Sequence, residues 1–258
     1  MIPRKIHTVV LSDVHLGTVG CHALELLHYL NSINPSTIIL NGDFIDAWNF
    51  KKYYWPESHM MVLRTLLSKM ANGTDIYYIT GNHDEVLRKV SSLQLGPLII
   101  RDKLIMELNG ETVWIFHGDI FDVTMKHSKW IARIGGKGYD LLIMINKLIN
   151  WLSVQIGRGK ISLSKRIKDS VKKAVQFIDN FEHTAMELAI EQGYDYVICG
   201  HIHQPKIRGY ENEHGSVIYM NSGDWVENLT ALEFDGDQWS MYRYSDDQFE
   251  DSSRIETI

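Results

Sequence analysis

The sequence predicts an α/β fold built on a central sheet, and three observations carry that prediction. Seven apolar, β-branched runs of strand length recur along the chain, and helical patterns separate the early ones. Five of the runs break off into the same kind of polar segment, rich in Asp, Asn, His and Gly. Strands alternating with helices imply right-handed crossovers and a sheet covered on both faces. At 258 residues the chain has room for one such domain with an insertion.

Ile6–Leu11 reads as the first buried strand. Cys21–Ser32 reads as a helix that ends before Pro35, and Thr37–Leu40 as the second strand. In Ser58–Met70 the residues Met61, Leu63, Leu66, Leu67 and Met70 form an apolar stripe, closed by Asn72-Gly73, which predicts the second helix. Asp75–Thr80, Thr112–Phe116, Tyr194–Cys199, Ser216–Met220 and Thr230–Phe234 supply the remaining strands. Between the fourth and fifth runs, residues 123–190 read as a helical insertion within a single domain spanning 1–258. Glycine clusters at 135–138 and 157–160 divide its first part into short helices, and Ser170–Gln192 forms a longer one. The tail after Phe234 is acidic and polar.

Composition excludes several classes. With 45% hydrophobic and 22% charged residues the chain is neither disordered nor a repeat array. Two distant cysteines, Cys21 and Cys199, give no disulfide framework and no zinc ribbon. The first residues run straight into an apolar strand without a secretory leader pattern, which predicts a cytoplasmic protein. The most apolar stretch, Leu141 to Ile156, carries Asn146, Lys147, Asn150, Ser153 and Gln155, so it does not read as a membrane span. The net charge of −6 hides an asymmetry: Lys126 to Lys173 holds twelve Lys or Arg against Asp140 and Asp169. That block is apolar as well as basic, with Trp130 and Trp151. It suits peripheral contact with a lipid surface better than nucleic acid, although packing on the domain's own core fits it equally.

The chemistry lies at the ends of the strands. Ser12-Asp13-Val14-His15, Asn41-Gly42-Asp43, Gly81-Asn82-His83-Asp84, His117-Gly118-Asp119 and Gly200-His201-Ile202-His203 close five successive runs. In an α/β sheet the loops at the carboxyl ends of strands share one crevice, where distant residues converge. Two ligands two residues apart fall on one side of an extended segment, which suits Asp13 with His15 and His201 with His203. One Asp-x-His alone is most often turn chemistry; five such segments in order reverse that judgement. Asp13, His15, Asp43, Asn82, His117, His201 and His203 are too many ligands for a four-coordinate ion, so they suit two divalent cations about 3.5–4 Å apart that share a carboxylate. Mixed imidazole, carboxylate and amide donors favour Mn2+, with Fe2+ or Zn2+ as alternatives. The remaining histidines, His59 among them, match no such position and read as structural or exposed. Asp46, Trp48, Asp119 and Asp122 read equally as loop hydrogen-bonders or substrate contacts.

These five segments resemble the ordered signature of the calcineurin-like metallophosphoesterase superfamily and span nearly the whole chain. The resemblance implies a β-sandwich flanked by helices. It implies one metal on Asp13, His15, Asp43 and His203, and another on Asp43, Asn82, His117 and His201. It further implies His83 as the catalytic imidazole oriented by Asp84, with Asn82 and Asp122 towards the substrate. Ser12–Gly17, Gly42–Trp48 and Asn221–Glu227 resemble one branch, the UDP-2,3-diacylglucosamine diphosphatases, whose lipid-binding lid sits where this chain has its insertion. That branch typically has an arginine where this chain has His83. The expected partner is therefore a phosphorylated, lipid-linked substrate, with peripheral contact at the cytoplasmic face of the inner membrane. A phosphodiesterase or nucleotide pyrophosphatase acting on a soluble substrate is the competing enzyme. A metal-free binding scaffold is the competing class, marked by lost ligands, and none of the seven is lost.

Overall fold

The computed structural model describes residues 2–47, 54–122 and 163–245. The chain divides into two compact units, Met1–Asp119 with Ala185–Ile258 and Ile120–Thr184. Every described strand belongs to the first unit. In chain order the elements are β1 (Arg4–Leu11), α1 (Ala23–Ser32), β2 (Ile33–Asn41), α2 (Glu57–Ala71), β3 (Asp75–Ile79), β4 (Gln94–Leu95), β5 (Leu98–Arg101), β6 (Lys103–Leu108), β7 (Glu111–Phe116), α3 (Leu163–Glu191), β8 (Tyr196–Cys199), β9 (Lys206–Asn212), β10 (Gly215–Asn221), β11 (Thr230–Phe234) and β12 (Trp239–Arg243). Short 3-10 helices cover Glu85–Val90 and Asp119–Asp122.

The strands form two sheets, which corrects the single central sheet read from the residue pattern and agrees with the sandwich implied by the family resemblance. The first sheet runs β12-β11-β1-β2-β3-β5-β4 and the second β6-β7-β8-β10-β9. Val10, Ile39 and Ile79 of the first sheet join Val113, Ile115, Ile198 and Met220 of the second in one buried cluster. The alternate residues Val9, Leu11, Ile38, Leu40, Ile76 and Tyr78 face the other way and pack with Leu26, Tyr29 and Leu30 of α1 and Val62 and Leu66 of α2. Both faces of β1 and β2 are therefore buried, which is why they read as continuous apolar runs. A strand buried on both faces does not reveal which sheet it joins, and this ambiguity hid the division into two.

β1, β2 and β3 are parallel, with Leu11 opposite Leu40 and Asn41 opposite Ile79, so the loops after them leave the sheet at one edge. β7 and β8 are parallel likewise, with Ile115 opposite Ile198. Pro35 lies in β2 where that strand pairs with β1 but has not yet met β3, whose pairing begins at Thr37, so its missing N–H interrupts no ladder on that side. Arg4 on β1 makes a two-pronged ion pair with Glu233 on β11 at 2.8 and 2.9 Å, and Tyr29 of α1 donates to the same carboxylate at 3.0 Å. Tyr210 and Asn212 of β9 donate to Glu187 at 2.6 and 3.2 Å, tying the last turns of α3 to the second sheet.

Five strands lie outside the sequence reading: β4, β5, β6, β9 and β12. β6 carried a period-two signal, with Leu104, Met106 and Leu108 turned inward between Lys103, Ile105 and Glu107. β9 is largely polar and is held as the outer strand of a hairpin, where Asn212 accepts from the backbone N–H of His214 and Gly215. The acidic tail contributes β12 before passing beyond Ser245, outside the described residues. Most of the expected insertion, residues 123–162, also lies outside them. No helix among the described residues is long and apolar enough to cross a membrane.

Because Ile39 is fully buried between the sheets, Ile39→Ala is expected to destabilise the protein by about 2–5 kcal/mol, read from urea unfolding, with Ile39→Val at the low end of core effects.

Candidate metal centre

The loops after β1 and β2 are zipped together. Asp13 N–H donates to Gly42 O at 3.1 Å, His15 N–H to Asp43 O at 2.9 Å, and Asp46 N–H to Leu16 O at 2.9 Å. The loops after β7 and β8 are joined by Gly200 N–H on His117 O at 2.9 Å. Within these loops the backbone is unusual. Asp13, His15, Asp43, His201 and His203 all hold left-handed φ, between 51° and 66°. Asp and His tolerate that region better than most residues, but each such conformation still costs on the order of 1–3 kcal/mol unless the surroundings enforce it. Asp13 with His15 and His201 with His203 therefore converge through turned backbone, not through the extended segments assumed from their spacing.

Two glycines make room for the cluster. Gly42 holds φ +78°, and a Cβ there would lie 2.3 Å from the His117 ring. Gly81 has no positive φ; it is needed because a Cβ would fall 2.3 Å from Asp43 Oδ1.

The side chains meet in overlapping groups. Asp13, His15 and His203 bring donor atoms within 4.8 Å of one another, as do Asp43, His117 and His201, and Asp43 also joins His15 and His83. His203 Nε2 stands 3.2 Å from Asp13 Oδ1, and His117 Nε2 stands 3.3 Å from Asp43 Oδ2. These distances fall within ion-pair range, yet Asp13 Oδ1 and His117 Nε2 are buried without a hydrogen bond, because the contacts are close but not aligned as one. Buried Asn82 Oδ1 is in the same condition, in a loop where His83 N–H donates to Asp43 Oδ1 at 2.8 Å. Two ligands about 2.1 Å from one ion at right angles stand roughly 3 Å apart. Orphaned acceptors at that spacing fit a divalent cation, and the donor set of carboxylate, amide and imidazole contains no thiolate.

Partners behind the imidazoles decide which nitrogen faces the centre. His117 Nδ1 donates to Asn41 O at 2.8 Å, leaving Nε2 inward. His15 Nδ1 lies 3.2 Å from Asp46 Oδ2. His83 Nδ1 lies 2.9 Å from the other oxygen of Asp46, so one buried carboxylate serves both rings, which cross edge to face at 4.7 Å. The expectation that Asp84 orients His83 is thus corrected in favour of Asp46. Asp84 instead accepts from Gly81 N–H at 2.6 Å, Phe44 N–H at 3.1 Å and Tyr78 Oη at 2.6 Å, stapling the third loop to the second.

Asp224 went unassigned in the sequence. It receives the N–H groups of Val226 and Glu227 on Oδ1, Asn228 Nδ2 on Oδ2, and lies 3.8 Å from His203 Nδ1. Its neighbours brace the ligand loops as well: Asn221 Nδ2 donates to Gly200 O, Ser12 Oγ to Gly223 O, and Trp225 N–H to Asp13 O. His59 supports the first loop by accepting from Gly17 N–H at 2.9 Å, a structural role. Asp119 is paired with Arg88, while Asp122 ends the 3-10 helix that begins at Asp119 and its side chain is not among those described.

The electrostatics arise from this crowding. Burial alone would raise the carboxyls of Asp13 and Asp43, but His203 and His117 outweigh it; Asp13 is driven far below the usual range and Asp43 to about 2. Desolvation opposes a charge on His203 and His117, yet Asp13 and Asp43 raise His203 to about 9 and His117 well above its ordinary value. Desolvation also opposes charge on His83, where Asp46 and Asp43 prevail and the pKa rises.

Similarity to known proteins runs along most of the chain. Curated relatives include the UDP-2,3-diacylglucosamine hydrolases of Vibrio vulnificus (strain CMCP6), 22% identical over 91% of this chain and 96% of the relative, and of Ectopseudomonas mendocina (strain ymp), 25% identical over 90% and 96%. That of Nitrosococcus oceani is 26% identical over 87% and 90%. Among solved structures, a phosphoesterase from E. coli aligns over 93% of both chains with 14% identity and a TM-score of 0.46. The calcineurin-like phosphoesterase pattern matches residues 6–205, which takes in all five ligand-bearing loops. The chain belongs to the calcineurin-like phosphoesterase family, and it is a metal-dependent phosphoester hydrolase.

Proposed function

We propose that the chain cleaves the diphosphate of UDP-2,3-diacylglucosamine, or of a closely related lipid-linked nucleotide, to UMP and a lipid phosphate on a dinuclear metal centre. The observation that carries the dinuclear reading is Asp43, which belongs both to a donor group with His15 and to one with His117 and His201. Asp13, His15, Asp43 and His203 would hold one cation, and Asp43, Asn82, His117 and His201 the other. Bound there, two divalent ions, Mn2+ first by donor type and Fe2+ or Zn2+ next, supply Lewis acidity that activates water and neutralises phosphate oxygens.

The chain's own groups do the rest. His83 is partly open to solvent, its Nε2 is 4.0 Å from Asp43 Oδ2, and Asp46 fixes its Nδ1, so the ring can deliver a proton to the leaving oxygen. Asp84 keeps the Asn82-His83 loop in place rather than touching the reaction. Asn82 and Asp122 are the proposed substrate contacts. The substrate class rests on the relatives' names and on the basic, apolar segment 126–173, which suits a diphosphate beside acyl chains. Residues 123–190 would form the lid and the peripheral contact with the cytoplasmic face of the inner membrane. A soluble diester or nucleotide substrate is the competing reading, favoured by His83 where the diphosphatase branch typically has arginine.

Manganese-dependent release of UMP from UDP-2,3-diacylglucosamine, abolished in Asp43→Ala, is the expected result. Cleavage of a generic phosphodiester with no UMP above that control would instead select the soluble-substrate reading. Asp46→Asn should lower turnover or metal affinity by about 10- to 100-fold, since it loosens two imidazoles at once.

In chelator-treated protein the raised His203 and His117 stabilise the fold fully below about pH 6.5, their ordinary value, and that stability is lost as pH rises through about 9. The depressed Asp43 contributes above about pH 3.9, and its share is lost as pH falls through about 2. The melting temperature of the metal-free protein is therefore expected to peak between about pH 4 and 6.5 and to decline towards 9. Manganese should flatten that decline and release protons on binding at pH 7, measurable by calorimetry in buffers of different ionisation enthalpy.

A further inference from the structure

We propose that Arg88 is a specificity residue that binds the second phosphate of a diphosphate substrate, an inference that rests on the diphosphate reading above. Arg88 lies on the 3-10 helix Glu85–Val90, which begins directly after Asn82-His83-Asp84. Its Nη2 contacts Asp119 Oδ2 at 2.5 Å, and Asp119 is two residues beyond the ligand His117. Arg88 therefore joins the two loops that carry His83 and His117.

The pair is lopsided in a way that a simple surface clasp is not. The Asp119 side chain is only 12% exposed, whereas that of Arg88 is 41% exposed. Asp119 engages a single guanidinium nitrogen, and Nη1 and Nε meet no partner among the described residues. A guanidinium is a planar fork that binds phosphate through two donors, so an arginine aimed by one carboxylate keeps a free edge for an anion. A monoester or simple diester offers the cations all the phosphate it has. A diphosphate leaves a second charged phosphate outside the centre, and that group needs a cation of its own. On the same helix Val86 and Val90 are exposed apolar residues, Lys89 adds a second exposed cation beside Arg88, and the exposed acid Glu85 stands at the opposite end.

The test measures binding of UDP and UMP to the manganese-loaded protein by calorimetry, in parallel with hydrolysis of a nucleotide diphosphate ester. In Arg88→Gln the ratio of UDP to UMP affinity should fall by roughly ten- to a hundredfold, the range of a hydrogen bond between charged groups, and Arg88→Lys should recover part of it. Asp119→Asn, which undoes the loop clasp but keeps the guanidinium, should change the ratio less than about threefold, well short of the loss of a charged hydrogen bond. An unchanged ratio in Arg88→Gln, or an equal loss in Asp119→Asn, overturns the proposal. If the wild-type protein hydrolyses no diphosphate ester while the ratio still falls in Arg88→Gln, the substrate reading fails and the role of Arg88 stands.

Discussion

Two carboxylates, Asp13 and Asp43, are withdrawn from water almost completely, and the first unit is arranged around the need to compensate them. An ionised carboxylate in an apolar interior is tolerated only with close positive charge or hydrogen-bond donors. His201 N–H and His83 N–H each donate to one of them, at 2.9 and 2.8 Å, and five imidazoles crowd the two carboxylates. That arrangement leaves buried acceptors unmatched, and a divalent cation is the group that matches them all at once. The left-handed turns at five ligands and the missing Cβ at Gly42 and Gly81 are consequences of forcing these atoms so close.

The two-sheet architecture makes the crowding attainable. A parallel trio, β1 to β3, delivers three loops at one edge, and the parallel pair β7 and β8 delivers two more from the facing sheet. Packing between Val10, Ile39, Ile79, Val113, Ile115 and Ile198 fixes the distance between those edges. A core substitution there acts on the site through this spacing as well as on stability, because close-packed interiors transmit strain.

The candidate ligands could be named from the sequence because each comes after an apolar run and each motif is short; the fold gathers six of the seven into groups with donor atoms within 4.8 Å, and Asn82 carries a buried, unmatched Oδ1. The single-sheet expectation failed because a run buried on both faces, such as Ile38-Ile39-Leu40, reads the same in either architecture. β9 was illegible for the opposite reason: it is a polar outer strand whose order comes from its hairpin with β10. The supporting carboxylates Asp46 and Asp84 were named in the sequence, but their partners could not be read there, because those partners lie across the chain. Asp84 closes the third motif and Asp46 lies three residues beyond Asp43, and the family resemblance implied Asp84 as the partner of His83. Only the fold shows Asp84 spent on backbone N–H groups and Tyr78, with Asp46 turned to the ring.

That substitution of partner changes how the site works. An aspartate used by His83 alone would tune the acid independently of the metal. Asp46 touches His15 with one oxygen and His83 with the other, so the proposed acid and a proposed metal ligand share one anchor. Asp46 is itself 2% exposed and its backbone N–H is tied to Leu16, which leaves the carboxylate little freedom to serve one ring at the expense of the other. Under the proposed assignment, a ligand of the cation and the acid would be mechanically linked through this carboxylate. Such an anchor would hold the proposed proton donor in register with the centre, which gives a buried aspartate outside the candidate ligand set a reason to be as constrained as the ligands.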